Sequence, residues 1–248
     1  MACRILLALL VLSSCYATAQ DRPKLIYFET GFDGLSTEKV KKDYLRVDKS
    51  FNSDYESGEY QPGIHGRITR AYAGVKLGLR LKNDKYTFLT GLRYTQTTSS
   101  INKKGPPDYL YQLHQQSGTT TEYLRVKELR QAGSYLSVPV EIRMDPWGKR
   151  RFSIFFMAGG EVGLQIAQKN KVRFSNSAMN QYESDVSRIM GKSGSFYSAV
   201  YGRAGITFGK EKPLFSLGVT VPLVISSTST LTTPEVGGGI NLQIQKTL

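Results

Sequence analysis

Strict alternation between apolar and polar residues recurs along most of this 248-residue chain and limits what it can fold into. Residues 135–144 show it best, with Leu136, Val138, Val140 and Ile142 on one face and polar or small residues between them. Because successive side chains of a β-strand point to opposite faces, this period predicts strands with one apolar and one polar face. The same pattern marks residues 26–32, 72–82, 86–94, 152–166, 200–208, 215–223 and 236–245. The sequence therefore predicts an all-β chain of eight strands.

The connections between these strands are alternately short and long. Those near 83–84, 145–148 and 209–211 are short and rich in turn-forming residues. Those at 35–65, 101–131 and 168–195 are long and polar, and a short helix is expected within 178–191. This order is typical of an antiparallel up-and-down transmembrane β-barrel with short periplasmic turns, long external loops and both termini in the periplasm.

The first nineteen residues have the pattern of a secretory signal peptide. Arg4 precedes an apolar run at 5–12, and Ala17-Thr18-Ala19 offers small residues for cleavage after Ala19, which leaves 20–248 as the barrel domain. Alternatively, Leu12-Ser13-Ser14-Cys15 has the form of a lipobox, in which Cys15 would be lipidated. Either route exports the chain. No later stretch is long and apolar enough to predict a membrane-spanning helix.

Both cysteines, Cys3 and Cys15, lie in this first segment, so no disulfide framework or cysteine metal site is predicted for the mature chain. The formal net charge is +13, which becomes about +12 when Arg4 is removed. Such a charge suits nucleic acid, but an exported chain with scattered cations is expected to contact outer-membrane lipid and anionic lipopolysaccharide instead. The alternative is a well-solvated basic surface.

Two features of the polar faces favour a membrane barrel over a soluble one, in which the apolar faces would point inward. The polar faces are rich in glycine, which suits a crowded interior, and they carry charges of both signs, which a closed interior must pair internally. The carboxylates expected inside are Glu29, Glu141 and Glu161, and the cations expected to pair with them are Lys76, Arg80, Arg93, Arg143 and Arg203.

Aromatic residues near predicted strand ends are typical of the girdles at membrane interfaces. They are Tyr72, Tyr86, Tyr94, Phe152, Tyr197 and Phe208. The alternative is the ordinary preference of aromatic residues for strands.

Pro139 and Pro222 fall inside predicted strands, where each removes a ladder hydrogen bond and therefore predicts a bulge or a local break.

Three segments resemble the PorT-like outer-membrane β-barrel family. They are Tyr135-Leu136-Ser137-Val138-Pro139-Val140-Glu141-Ile142-Arg143, Phe156-Met157-Ala158-Gly159-Gly160-Glu161-Val162-Gly163 and the signal ending Ala19-Gln20. The resemblance covers nearly the whole mature chain in organisation and implies a location in a Gram-negative outer membrane. It supplies no functional residues, and its namesake is linked to protein secretion and gliding machinery. The chain departs from many such barrels by ending in Leu248 rather than an aromatic residue.

The catalytic and metal-binding signals are weak. His114 with Ser117 and Asp108 is the local candidate for a lipid A-modifying enzyme, although a loop histidine near a serine is common by chance, and His65 has no such neighbours. The acidic residues Asp43, Asp48, Asp54, Glu56 and Glu59 are interleaved with lysines and favour a solvated loop over a calcium site. No catalytic, cofactor or metal site is therefore predicted.

The function expected is non-enzymatic, with a structural or interaction role through the long external loops and an envelope protein as a candidate partner. Two alternatives stay open: the lipid A-modifying enzyme, and a narrow channel or secretion accessory.

Overall fold

The computed structural model describes residues 24–37, 45–46, 64–81, 85–103, 109–115, 121–147, 152–209, 213–226, 229–232 and 236–247. The predicted signal peptide and Cys15 lie outside these residues, as do Asp108, Ser117 and the acidic residues at 43, 48, 54, 56 and 59. Predictions about those residues stay predictions.

Ten strands and one helical segment make up the described chain. The strands are β1 (Lys24–Thr37), β2 (Leu45–Arg46), β3 (Ile64–Arg80), β4 (Tyr86–Lys103), β5 (Leu110–Gln115), β6 (Thr121–Met144), β7 (Phe152–Phe174), β8 (Phe196–Phe208), β9 (Leu214–Ser226) and β10 (Gly237–Thr247). A 3-10 helix (Ser177–Tyr182) leads into α1 (Glu183–Met190), which confirms the helix expected within 178–191.

Eight of the strands close into a ring in the order β1, β3, β4, β6, β7, β8, β9, β10, with every neighbouring pair antiparallel. Closure is made by the first and last strands: Phe28 of β1 pairs with Val75 of β3 on one side and with Ile244 of β10 on the other. The predicted eight-stranded antiparallel up-and-down barrel is therefore confirmed.

The apolar faces of the strands point outward and the polar faces point inward. Val140, Val219 and Leu242 are 48%, 53% and 40% exposed, whereas the neighbouring Glu141, Thr220 and Asn241 are buried. A soluble barrel has the opposite arrangement because its core must be apolar. An apolar outer band around a polar interior is the arrangement of a transmembrane barrel. Within the described residues, no helix is long and apolar enough to cross a bilayer.

The predicted aromatic girdle is correct in part. Tyr86, Tyr94, Phe152 and Phe208 are exposed on the outer face at or towards the ends of the apolar band. Tyr72 and Tyr197 are wrong as girdle residues, because both are buried in the barrel interior. Their positions in the alternation explain the error: Tyr72 has the phase of Lys76, and Tyr197 that of Arg203, so both tyrosines point inward with those cations.

The barrel wall is higher on one side than on the other. β3, β4, β6 and β7, which we name the tall wall, have 17 to 24 residues, whereas β8, β9 and β10 have 11 to 13. The expected loops at 35–65, 101–131 and 168–195 are therefore wrong in part, because their ends are strand. Two short strands also lie within them: β5 pairs with the start of β6, and β2 pairs with β5.

Both prolines disturb the sheet in the ways expected. At Pro139 the pairing of β6 with β4 is interrupted between Thr90↔Val140 and Arg93↔Ser137 without a change of register. At Pro222, β9 has one residue more than each of the neighbouring strands β8 and β10. On β8, Thr220 pairs with Arg203 and Leu223 with Tyr201. On β10, Thr220 pairs with Gly239 and Leu223 with Gly237. The first is a local break and the second a β-bulge.

Candidate functional site

A network of ion pairs fills the centre of the barrel. Its carboxylates are Glu29, Asp33, Glu141 and Glu161, and its cations are Arg70, Lys76, Arg93 and Arg203, all with completely buried side chains. These residues come from six strands, so the network ties opposite walls together. Four negative and four positive charges balance among the described residues, as a closed low-dielectric interior requires.

Arg93 on β4 is the centre of this network. Its guanidinium forms ion pairs with Glu29 on β1, Glu161 on β7 and Glu141 on β6, the last at 2.8 Å. It also donates a hydrogen bond of 2.8 Å to the Tyr201 hydroxyl. A planar guanidinium with five donors can satisfy several carboxylates at once, which a lysine ammonium cannot do in the same geometry.

The remaining cations complete the pairing above and below Arg93. Lys76 lies 2.9 Å from Glu29 and 2.5 Å from Glu141. Arg203 lies 3.4 Å and 3.3 Å from the same two carboxylates. Arg70 lies 3.0 Å from Glu161 and 3.3 Å from Asp33. Each of these carboxylates except Asp33 therefore has more than one cationic partner.

Three tyrosines provide the neutral part of the network. The Tyr197 hydroxyl donates to Glu161 at 2.7 Å, and the Tyr201 hydroxyl donates to Glu141 at 2.6 Å. The Tyr72 hydroxyl accepts a hydrogen bond of 3.0 Å from Arg203. Arg70 also stacks on the Tyr72 ring at 4.6 Å, and Arg203 on the Tyr201 ring at 4.4 Å. The tyrosine hydroxyls thus add acceptors for Arg93 and Arg203, whereas the Arg70 nitrogens have ion pairs and ring contacts but no hydrogen bond of good geometry.

The sequence predicted much of this network, with two omissions and one error. Glu29, Glu141 and Glu161 pair with Lys76, Arg93 and Arg203 as expected, whereas Asp33 and Arg70 were missed. Arg143 was expected among these glutamates, but its ion pair is with Asp145 at 3.0 Å. Arg143 lies near the end of β6, closer to the short connections than the network is. Arg80, which was also expected to pair with these glutamates, is the last residue of β3 at the same end of the barrel.

Below the network, the lumen is closed by a mixed layer. The apolar part consists of Leu25, Tyr27, Leu89, Phe155 and Met157. Arg143 lies over the Phe155 ring at 4.2 Å and donates to Thr207 and to Ser216, the latter at 3.3 Å. This end of the barrel is the end with the short connections.

Glycines let the charged side chains fit against the wall. Gly91 on β4 lies opposite Lys76 on β3, and a methyl group at Gly91 would collide with the Val75 carbonyl and come within 2.7 Å of the Lys76 Cα atom. Both obstacles are backbone atoms, which cannot move aside without opening the ladder. The glycine content of the polar faces is thus a packing requirement, as predicted.

We expect Gly91→Ala to lower the free energy of unfolding by about 1–3 kcal/mol, the usual cost of overpacking. Gly34→Ala is the matched control, because nothing lies within 4 Å of the position of its added methyl group. The control is expected to be neutral or slightly stabilising. Urea titrations of both variants refolded in detergent measure the difference, and equal effects would contradict the packing role of Gly91.

Above the network, two clusters of apolar side chains fill much of the interior, with buried polar residues such as Gln131 and Ser99 between them. The first layer is Leu35, Ile68, Tyr135, Tyr197, Ala199, Tyr201, Leu223 and Ile225. The second, which we name the apolar cap, is Leu45, Ile64, Ile101, Leu110, Leu124, Val126, Leu129, Val172, Phe174, Val186, Met190 and Leu231. The cap joins the tall wall, β2, β5 and α1, which contributes Val186 and Met190 from its buried face. It closes the barrel end opposite the short connections.

The polarity of the wall reverses where the cap begins. Along the lower part of β7 the outward residues are apolar, up to Leu164 and Ile166. After a bulge at Ile166, the outward residues are Lys169, Lys171 and Arg173, and the inward residues include Val172 and Phe174. An apolar outside marks contact with lipid and a charged outside marks contact with water. The bilayer therefore ends near Leu164, and the cap stands outside it.

Within the described residues the two histidines lie apart, His65 on β3 and His114 on β5, and the expected partners of His114 are not among them. His65 is exposed on the outer face of β3. The backbone of His114 pairs with Glu122 within the β5–β6 hairpin, while Ser117 and Asp108 lie outside the described residues. The described part of the chain contains no cluster of potential metal ligands. The described residues therefore form a barrel with a filled interior and an apolar cap above the apolar outer band.

Comparison with known proteins adds two distant structural similarities. No protein-family model matches the chain, and no curated protein matches it. The chain is similar to the outer membrane protein OprG from Pseudomonas aeruginosa, with a TM-score of 0.40 and 13% identity over 90% of this chain and 95% of that one. It is also similar to the translocator domain of the autotransporter NalP from Neisseria meningitidis, with a TM-score of 0.29 and 11% identity over 98% and 95%.

Proposed function

We propose that this protein is a non-enzymatic outer-membrane β-barrel whose apolar cap and tall wall form a contact surface outside the cell. The observation that carries the proposal is the filled lumen. Among the described residues, ion pairs, tyrosines and two apolar layers are stacked along the lumen, which supports a barrel without an open path along its axis. The interior of an eight-stranded barrel is just wide enough to be filled by side chains in this way.

The proposed orientation follows from the two ends of the barrel. One end has the short connections and both termini of the ring, Lys24 and Thr247. The other end has the cap, the longer strands and α1. Outer-membrane barrels have short periplasmic turns and longer external segments. We therefore place the cap outside the cell and the termini in the periplasm, with an envelope component as the partner of the cap.

The alternatives make different demands on the molecule. A narrow channel requires the balanced ion-pair network to open, and each buried charge then needs water as a new partner. A lipid A-modifying enzyme requires His114 to meet Ser117 and a carboxylate. The role of a secretion accessory is compatible with a plugged lumen and stays a separate alternative.

The test combines folding, location and orientation in intact cells. We expect unboiled protein from the outer-membrane fraction to migrate differently from the boiled protein on electrophoresis. Arg188→Cys places a thiol on the exposed face of α1, where the native side chain is 83% exposed, and Trp147→Cys places one in a short connection. A membrane-impermeant maleimide should label the Arg188→Cys variant in whole cells, and should label the Trp147→Cys variant only after lysis.

Several outcomes would contradict the proposal. Labelling of only the Trp147→Cys variant would invert the orientation, and absence of a heat-modifiable form in the outer membrane would refute the location. Purified wild-type protein should be silent in a planar bilayer. Sustained conductance by the folded form would favour the channel instead.

A further inference from the structure

The outer surface of the tall wall carries a band of cations above the apolar band. Hydrogen-bonded partners place Arg67, Ser100, Arg130 and Lys171 in one row across β3, β4, β6 and β7. The row below contains Lys169, and the row above contains Arg173. We name Arg67, Arg130, Lys169, Lys171 and Arg173 the basic belt. All five side chains are exposed, while the alternate residues Ile68, Leu129 and Val172 are buried in the interior.

The charges of the belt are not balanced by the wall itself. Glu128 is the carboxylate that lies among these rows in the described chain, and it pairs with Arg130 at 3.0 Å. Arg130 and Lys171 lie directly opposite each other on adjacent strands. Like charges in this position destabilise a sheet, and one surface ion pair offsets little of that cost. An anion bound between the two strands would reverse the sign of the interaction.

The belt starts above the apolar band, at a height from which long side chains can reach down to the lipid headgroups. Arg130 lies six residues beyond Leu136 on the same face of β6, which is about 15 Å along the axis for a strand rising about 3.3 Å per residue at a tilt of about 40°. Lys169 lies five residues beyond Leu164 on β7. Long lysine and arginine side chains can reach down towards the bilayer surface along the wall. Tyr94 lies in the row of Leu136 at the upper edge of the apolar band, and its hydroxyl donates to Ser134 at 2.9 Å, towards the belt.

We propose that the basic belt binds the phosphate groups of lipopolysaccharide molecules whose acyl chains pack on the apolar band below. The proposal rests on the outward orientation of the cap, because a phosphate-rich glycolipid then faces this wall. The belt is continuous with the lipid-covered surface: Leu92, Leu136 and Leu164, which are 48–65% exposed, lie on the same strands. A nucleic acid or a soluble protein would contact the cations but not the lipid-covered surface directly below them.

Purified barrel refolded in neutral detergent can be titrated with phosphorylated lipid A, with dephosphorylated lipid A and with phosphatidylglycerol. The readout is the temperature at which the heat-modifiable band is lost, because a ligand that binds only the folded form raises it. The belt variant is Arg130→Gln/Lys169→Gln/Lys171→Gln. The control is Arg125→Gln/Arg188→Gln/Lys192→Gln, which removes the same charge from exposed residues outside the belt.

We expect phosphorylated lipid A to stabilise the wild-type and control proteins, and to bind the belt variant about a hundredfold more weakly, given about fivefold for each cation near an anionic lipid surface. Equal responses of the belt and control variants would overturn the proposal. An equal effect of phosphatidylglycerol, or of dephosphorylated lipid A, would show a generic surface and overturn it as well. Without lipid, both variants should show the heat-modifiable band of the folded barrel. This band and the maleimide labelling test the folding and the orientation of the proposed function independently of lipid binding.

Discussion

Replacement of Arg93 by methionine is expected to lower the free energy of unfolding by about 3–5 kcal/mol, the usual cost of removing one partner from a buried ion pair. Arg93 pairs with Glu29, Glu141 and Glu161, and all four side chains are completely buried. The variant leaves four buried carboxylates against three buried cations. The loss is electrostatic and local, since methionine retains most of the volume and the apolar contacts of the arginine stem.

A second substitution tests this explanation directly. Arg93→Met/Glu161→Gln restores the balance of charges and keeps an acceptor for the Tyr197 hydroxyl, which donates to Glu161 at 2.7 Å. The double variant should therefore recover a substantial part of the stability, a coupling that a double-mutant cycle measures. Arg188→Met is the control, because Arg188 is 83% exposed on α1 and its loss should cost less than about 0.5 kcal/mol.

Urea titrations in detergent micelles, followed by the fraction of heat-modifiable band, give the unfolding free energy of each variant. A cost for Arg93→Met no larger than that for Arg188→Met would show that the lumen is hydrated and that its charges do not depend on one another. Failure of the double variant to recover would assign the loss to packing instead.

The barrel was predictable because the bilayer imposes one rule on every strand. Between residues 136 and 144 every outward residue is apolar, and between Tyr86 and Tyr94 Thr90 is the exception, so the alternation is easy to recognise. The inward glycines and charges of both signs then identified the polar faces as an interior. Pro139 and Pro222 were predictable for the same reason, since a closed ring has no edge at which a missing donor is harmless.

The prediction failed where that rule stops applying. Beyond the bilayer the outward residues are charged and the inward ones apolar, and on β7 the phase also shifts at the bulge of Ile166. The upper halves of β3, β6 and β7 therefore appeared polar and irregular, and the apolar cap was missed. Asp33 and Arg70 were also missed, although each lies an even number of residues from an inward charge on the same strand. Asp33 is four residues after Glu29, and Arg70 is six residues before Lys76.

The two sets of charges that meet inside were predictable, but the individual pairs were not. The pairing depends on register, and a shift of two residues between neighbouring strands preserves every face while changing every partner. The network shows the consequence: Arg93 joins residues that are 48, 64 and 68 positions away in the sequence. The sequence indicated which groups face inward; the closure of the ring decides which of them touch.

A charge placed on the outer band should separate the membrane barrel from a soluble one. Val219 is 53% exposed near the middle of β9, between Leu217 and Val221, which also point outward. In a bilayer, Val219→Arg should cost about 2–4 kcal/mol, because the guanidinium lies near the midplane. In water, the same substitution at an exposed position should change stability by less than about 0.5 kcal/mol.

Val236→Arg is the matched control for this test. Val236 is 61% exposed immediately before β10, at the end of the barrel where the cap begins, so an arginine there can reach the headgroups at a cost of about 0–1 kcal/mol. Both variants are refolded into phospholipid vesicles and titrated with denaturant. A much larger loss of unfolding free energy for Val219→Arg than for Val236→Arg requires a medium that changes from apolar to polar along the barrel axis. Equal costs would mean a uniform solvent around the barrel, and the exposed apolar band would then need a protein partner to cover it.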